Sequence, residues 1–469
     1  MSSSVLRRAP AKSAVDRTRR PPAAPAPPLV LPPSVRFTLD GGTRVEVVER
    51  RGIPEVYVCL AVEAGSAADP AGRGGAAELA ARVLSRGAGG RGRLEMARWL
   101  DRAGAFFRVV VHHDVAVLML FGLREAAGEG LAYLASVVTE PAFAEGEVAG
   151  ARAELLAELS RQAMDPAAVA DRALAAALYG DHPYGRPVQG TQPSVAALDA
   201  AAVRAFHRAR YGGAGAVLVA SGDVDADAVR RVLERELGGW AGGAPAGDAP
   251  PAPEAPPPSK IVLLDRPGLP QVQLRVGAPG VPAGHPGQWA LTLAATVLGG
   301  VFNSRLNQAL REENGWSYGA RARVRFRRAG GHLAVRAAVE NGAAARALAE
   351  IRRQAARLAA QPPTDDELRL ARNALAFSLP VEMETNGGLA QKLVDRTVYA
   401  HPHDVWERYA GRLAAVTPRE VAEAAARWLA PERLALVAVG DARRVAPELE
   451  EIGAVEVRPA AAETSVFRE

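Results

Sequence analysis

Residues Val47–Val62 read VVERRGIPEVYVCLAV, and Val262–Gly277 read VLLDRPGLPQVQLRVG. In both, an apolar run meets a Gly-x-Pro turn and a second apolar, β-branched run follows, which predicts two strands joined by a tight connection. Gly52-Ile53-Pro54 precedes Gly268-Leu269-Pro270 by 216 residues. A second matching pair lies further on: AVLVASGDVDADAV at Ala216–Val229 and LALVAVGDARRV at Leu434–Val445, with Gly222-Asp223 218 residues before Gly440-Asp441. The helical stretches before them also align, LDAAAVRAFHRARY from Leu198 and VTPREVAEAAARWL from Val416. Two anchors with nearly one offset, at opposite ends of a half, mark duplication of a whole domain and not a short solenoid repeat.

The duplication sets the domain plan. A basic, Pro-rich tail is expected over 1–33, a first domain over 34–240, a Pro/Ala-rich linker over 241–258, a second domain over 259–456 and a short tail over 457–469. The linker shows no apolar periodicity and many prolines, so an extended, semi-rigid connector is predicted. Within the first half, Val45–Val48, Val56–Val62, Phe106–Val111 and Val115–Leu123 have strand composition. Helical periodicity marks Gly75–Arg86, Leu94–Arg102, Glu145–Gln162, Asp165–Leu178 and Ala200–Arg210. Paired strands with helices between them predict an α+β fold in which helices cover one face of each sheet.

Composition excludes several functions. The net charge of +5 is concentrated in residues 1–33, where six basic residues face only Asp16. Beyond them 51 basic and 51 acidic residues balance, so the body has no basic excess for nucleic acid. Cys59 is the only cysteine, which rules out an intrachain disulfide and a thiolate metal cluster. No run of about 18 uncharged apolar residues occurs, so no membrane span is expected. The N-terminal arginines lead into Ala/Pro-rich sequence instead of an apolar run, so no secretory signal is read and a cytoplasmic location is expected.

Three further segments carry motifs, the second of them a Pro- and Gly-fixed turn read as scaffolding. Asn303–Ala322 reads NSRLNQALREENGWSYGARA and follows Gly299-Gly300; His182–Thr191 reads HPYGRPVQGT; Gly75–Ala88 reads GAAELAARVLSRGA. Taken alone, Arg311 reads as a surface helix residue and Tyr318 as a packed strand aromatic. Gly299-Gly300 is no phosphate loop, because no G-K-[ST] follows. The three segments together resemble the insulinase/pitrilysin/mitochondrial-processing-peptidase family of zinc metallopeptidases, over nearly all of residues 34–456. The resemblance implies two duplicated domains in a clam-like arrangement, each a sheet covered by helices.

That family's zinc motif is H-x-x-E-H, two imidazoles one helical turn apart with a general-base Glu between them. On the matching helix the first His falls at Glu78, the Glu at Ala81 and the second His at Arg82, and the later helix's ligand falls at Glu158. The family's acid supporting that later ligand falls at Ala151. No His elsewhere has a second His four residues away with a Glu between. His112 and His113 are strand neighbours that face opposite sides, and His401 and His403 flank Pro402 in an expected turn. No metal is expected in this chain. We expect the Arg82 guanidinium to sit between Glu158 and Glu78, since a planar fork suits two carboxylates and the i, i+4 order favours pairing. The edge strand that carries an Asn in catalytic relatives reads AFFRVVVHHD here, with Arg108 at that place.

The resemblance further implies that Arg311 and Tyr318 bind peptide substrate in an active site whose zinc belongs to another subunit. The chain is thereby expected to be the non-catalytic, substrate-binding subunit of a heterodimeric zinc endopeptidase, inactive alone. Its expected partners are a homologous H-x-x-E-H subunit and a peptide substrate. The alternative is a structural protein of the same fold with no part in proteolysis.

Overall fold

A computed structural model describes residues 28–460 apart from 246, 248 and 255–259. The tail expected over 1–33 therefore lies mostly outside the described residues, as do 461–469 and part of the linker. Leu29 and Leu31, expected in the N-terminal tail, pack against the apolar cluster beneath the first sheet. The last strand, Val455–Pro459, also runs beyond the expected end of the second domain.

The first sheet comprises β1 (Val35–Thr38), β2 (Arg44–Glu49), β3 (Glu55–Val62), β4 (Phe106–Val111), β5 (Ala116–Leu123) and β6 (Val217–Gly222). The second comprises β7 (Ile261–Asp265), β8 (Gln271–Pro279), β9 (Ala320–Phe326), β10 (Gly331–Glu340), β11 (Ala435–Gly440) and β12 (Val455–Pro459). Their orders are β1-β2-β6-β3-β5-β4 and β12-β7-β11-β8-β10-β9. Five strands recur in the same order, with β2 parallel to β6 and β7 parallel to β11. The sixth strand differs. An N-terminal β1 closes the first sheet antiparallel to β2, whereas a C-terminal β12 closes the second parallel to β7.

Strands β6 and β11 are buried along their whole length. Continuous apolar runs of this kind need cover on both faces of the sheet. One face of each sheet is covered by helices of its own half. The other face is covered by a helix from the opposite half. Helix α3 (Pro166–Tyr179) of the first half lies on β8 and β11, and α4 (Asn386–Val398) of the second half lies on the equivalent β3 and β6. Val169, Leu174 and Leu178 thus share a core with Val437 and Val439, while Leu389, Leu393 and Val394 share one with Cys59, Val217 and Val219. Cover on one face alone, the expectation from sequence, is corrected by this exchange. Ionic contacts follow the same pattern: Arg396 on α4 reaches Glu46 on β2 in a buried pair, and buried Arg275 on β8 donates to half-buried Asp171 on α3 at 2.5 Å. No helix among the described residues is long and apolar enough to cross a membrane.

The described part of the linker is anchored. Ala214 N–H donates to the Gly242 carbonyl at 3.0 Å, Ala244 is buried, and His182 Nε2 hydrogen-bonds the Pro251 carbonyl at 2.8 Å. The 182–191 segment in turn sets the start of the helix that carries Glu78 and Arg82. Gly190 has φ of 73°, and a Cβ there would run into the Gly74 carbonyl oxygen, so only glycine allows this approach.

Candidate functional site

Helix α1 (Ala76–Val83) packs its apolar side into the first core, burying Leu79, Ala80 and Val83. Its N-terminus is held by Asp69, a buried carboxylate from the preceding loop that accepts from Gly75 N–H at 2.7 Å and Ala77 N–H at 2.8 Å. Burial pushes the Asp69 carboxyl up to about 7, because desolvation outweighs those two bonds and the nearby Arg186.

Glu78 and Arg82 leave one face of α1, one turn apart. Arg82 Nε donates to Glu78 Oε1 at 2.7 Å, and an Nη donates to Glu158 Oε2 at 2.7 Å. Glu158 stands on α2 (Glu145–Met164). Its other oxygen accepts from Gln189 Nε2 at 2.8 Å and Gln162 Nε2 at 3.2 Å. Burial works against charge on both partners. The carboxylates nevertheless hold the Arg82 pKa above its ordinary value, and bonds from Gln189 and Arg82 hold Glu158 below its own. A turn further along, Arg86 binds Glu154 through both terminal nitrogens and supports the same helix pair.

The structure thus brings Glu78, Arg82 and Glu158 together, with buried Ala81 beside them offering no polar group. This donor set does not fit a catalytic zinc. It holds no imidazole and no free base, and both its carboxylates are already bonded to one guanidinium. Among the described residues no cluster of three or more His, Cys, Asp or Glu is arranged to hold a metal. Gln162 and Gln189 belong to this cluster and were not singled out from sequence; nothing in the spacing of either residue distinguishes it from a surface glutamine.

Arg311 and Tyr318 lie in the second half and have no hydrogen bond or ion pair to that cluster. The sequence predicts an α-helix there; the chain instead widens into a π-helical turn over Gln308–Glu313, a form concentrated at functional sites. The Arg311 guanidinium lies 4.6 Å from the centre of the exposed Phe302 ring, and its Nε is 3.4 Å from Glu312. Gly315, with φ of 66°, ends the turn as its N–H reaches the Arg311 carbonyl at 3.2 Å. The connector is then braced. Trp316 N–H donates to the Leu310 carbonyl at 2.9 Å, and Asn307 Oδ1 accepts from Ala320 N–H at 2.8 Å. Tyr318 stands clear on this brace, 93% exposed. A packed strand aromatic is therefore the wrong description of it.

Comparison with known proteins agrees on one family. Residues 44–192 match the model for insulinase (peptidase family M16), and residues 197–375 match the model for the peptidase M16 inactive domain. An uncharacterized zinc protease of Mycobacterium tuberculosis is 28% identical over 435 residues, covering 90% of this chain and 96% of the relative. Another from Streptomyces coelicolor is 25% identical over 410 residues, covering 86% and 89%. Among solved structures, a peptidase M16 inactive domain from Pseudomonas fluorescens superposes with a TM-score of 0.81 at 25% identity, covering 87% of this chain and 98% of that one. A protease from Helicobacter pylori superposes with a TM-score of 0.80 at 17% identity, covering 87% and 100%, a likeness of fold.

Proposed function

Because this chain belongs to the insulinase family of zinc peptidases (peptidase family M16), we propose that it is the metal-free, substrate-binding subunit of a heterodimeric peptidase. The observation that carries the reading is the exposed Tyr318 on its braced connector. Its hydroxyl has no hydrogen-bond partner among the described residues, and Arg311 is seven residues before it. In this reading the guanidinium and the phenol reach the partner's active site and donate to substrate carbonyls, where negative charge builds during attack. The partner is a homologous chain with H-x-x-E-H, which supplies zinc and the general base. The peptide is bound extended, since strand addition at a sheet edge lets main-chain bonds hold varied sequences. The first half contributes architecture, with Arg82 filling the place of the metal by charge alone.

Co-expression with an H-x-x-E-H chain of similar length tests this. Each subunit alone is expected to leave peptides intact while the mixture cleaves them. Cleavage by this chain alone, with bound zinc, overturns the proposal. If the mixture cleaves and Arg311→Ala and Tyr318→Phe change nothing, the chain is a structural subunit instead.

A further inference from the structure

Strand β9 is the outer strand of the second sheet, so its free edge is unpaired among the described residues. It reads ARARVRF, with Ala320, Ala322 and Val324 turned to the core side and Arg321, Arg323 and Arg325 on the opposite, exposed side. The first half offers an internal comparison, because the equivalent edge β4 reads FFRVVV and carries a single arginine. Register worsens the crowding of charge. Arg321 lies directly opposite Arg336 on β10, whereas Arg325 lies opposite His332, whose imidazole is kept neutral by burial, its pKa lowered to about 3. Like charges across a strand pair are destabilising, so this arrangement costs stability unless an anion relieves it.

Little in the chain itself relieves it. Arg321, Arg323, Arg325 and Arg327 make no ion pair and no side-chain hydrogen bond among the described residues. Arg327 lies over the Tyr184 and Tyr179 rings at 4.8 and 5.5 Å, and its buried Nη1 has no hydrogen-bond partner. Arg325, Arg327, Arg336 and His332 line one cleft between the halves. Two carboxylates also line it, and both are engaged: Asp171 is held by Arg275 at 2.5 Å and Arg336 at 3.1 Å, and buried Asp114 accepts from the Tyr184 hydroxyl at 2.5 Å and from Arg328 N–H at 3.3 Å. Helix α3 covers the neighbouring β8 and β11 and leaves the arginine side of β9 open.

We propose that β9 and the adjoining cleft form a docking track for an extended acidic peptide segment, added as a strand along the free edge. Acidic side chains at alternate positions of such a segment fall about 7 Å apart, the spacing of Arg321, Arg323 and Arg325. The track begins two residues after Tyr318. It deepens the substrate-binding reading above, on which it rests, by giving the substrate class: peptides with an acidic stretch beside the gripped segment. Backbone pairing supplies affinity and the arginine row supplies selectivity.

The test is an anisotropy titration of the isolated full chain with a fluorescein-labelled peptide of about ten residues carrying Glu at every second position. A matched peptide with Gln at those positions is the control. The Glu peptide is expected to bind at least about tenfold more tightly, with the advantage shrinking between about 50 and 300 mM NaCl. The R321Q/R323Q/R325Q variant is expected to abolish the preference while its thermal midpoint holds or rises. Arg323→Glu is expected to weaken Glu-peptide binding on its own, and it serves if the triple variant fails to fold. Equal affinity for both peptides, or an undiminished preference in the variants, overturns the proposal. Tripolyphosphate competing as well as the Glu peptide overturns it too, since that is a small-anion site. Unaltered affinity after N-methylation of alternate backbone amides rules out strand addition. Binding is read here without partner or cleavage. A failed titration therefore leaves the Arg311 and Tyr318 assay intact, and absent partner-dependent cleavage leaves the titration intact.

Discussion

Arg82 and Glu158 are joined by a 2.7 Å charge-assisted hydrogen bond between two helices, and the same guanidinium reaches Glu78 at 2.7 Å. One cation thus stands between two carboxylates carried by two helices. Removing it leaves the acids facing each other in a half-buried setting, with only the glutamines on Glu158. Arg82→Ala is expected to lower unfolding free energy by about 1–3 kcal/mol, read by chemical denaturation. Arg82→Ala in a Glu78→Gln/Glu158→Gln background is expected to cost much less, because no like-charge pair remains. Equal losses in both backgrounds would show that Arg82 acts by packing alone.

The geometry of α1 and α2 also predicts a gain of function. Glu78→His, Ala81→Glu and Arg82→His together rebuild H-x-x-E-H with Glu158 in reach. About one zinc per purified chain is expected in this triple variant, measured by metal analysis, and none in the parent. Failure of a folded triple variant to retain zinc would mean that α1 and α2 do not hold the ligand geometry.

The exchanged helices predict one cooperative unit. Leu174→Ala on α3 and Leu393→Ala on α4 each empty a core shared by both halves. Each is expected to cost about 2–5 kcal/mol and to lower one unfolding transition without splitting it. Residues 28–240 expressed alone are expected to expose the α4-binding face of the first sheet and to aggregate. Two separate calorimetric transitions in the parent would contradict this.

Asp69 predicts a pH dependence of stability. Its folded pKa of about 7 lies above the ordinary 3.8, so the folded chain holds a proton that the unfolded chain releases. The resulting stabilisation is full below the ordinary value and declines as pH rises through about 7. The thermal midpoint of the parent is expected to fall between pH 5 and 8 more steeply than that of Asp69→Asn. Parallel profiles would remove Asp69 as the source.

Arg311 and Tyr318 predict function without stability. Both side chains are exposed, Tyr318 almost fully. Arg311→Ala and Tyr318→Phe are expected to shift unfolding by less than about 0.5 kcal/mol, as surface changes do. Partner-dependent cleavage is expected to fall by about 100-fold in each. An equal fall in stability and cleavage would argue for a folding defect.

The amino-acid sequence by itself determined the duplication, because Gly-x-Pro turns and the strand that ends in Gly-Asp recur at nearly one offset and such turns have few substitutes. It also determined the absence of H-x-x-E-H, and the i, i+4 relation that puts Glu78 and Arg82 on one helix face. The arginine row was equally legible as a period-two pattern from Arg321 to Arg325, but its meaning was not, since sequence does not say that β9 is a sheet edge. Only the tertiary structure decided that α3 and α4 change places. Their apolar faces look alike in sequence, and which sheet each covers depends on contacts between residues far apart in the chain, Leu174 with Val437 and Leu393 with Cys59 among them. The wide turn at Gln308–Glu313 and the exposure of Tyr318 were decided there as well. An aromatic after a Gly turn reads the same whether it packs inward or stands free, and Asn307 settles the matter by tying the connector down from thirteen residues away.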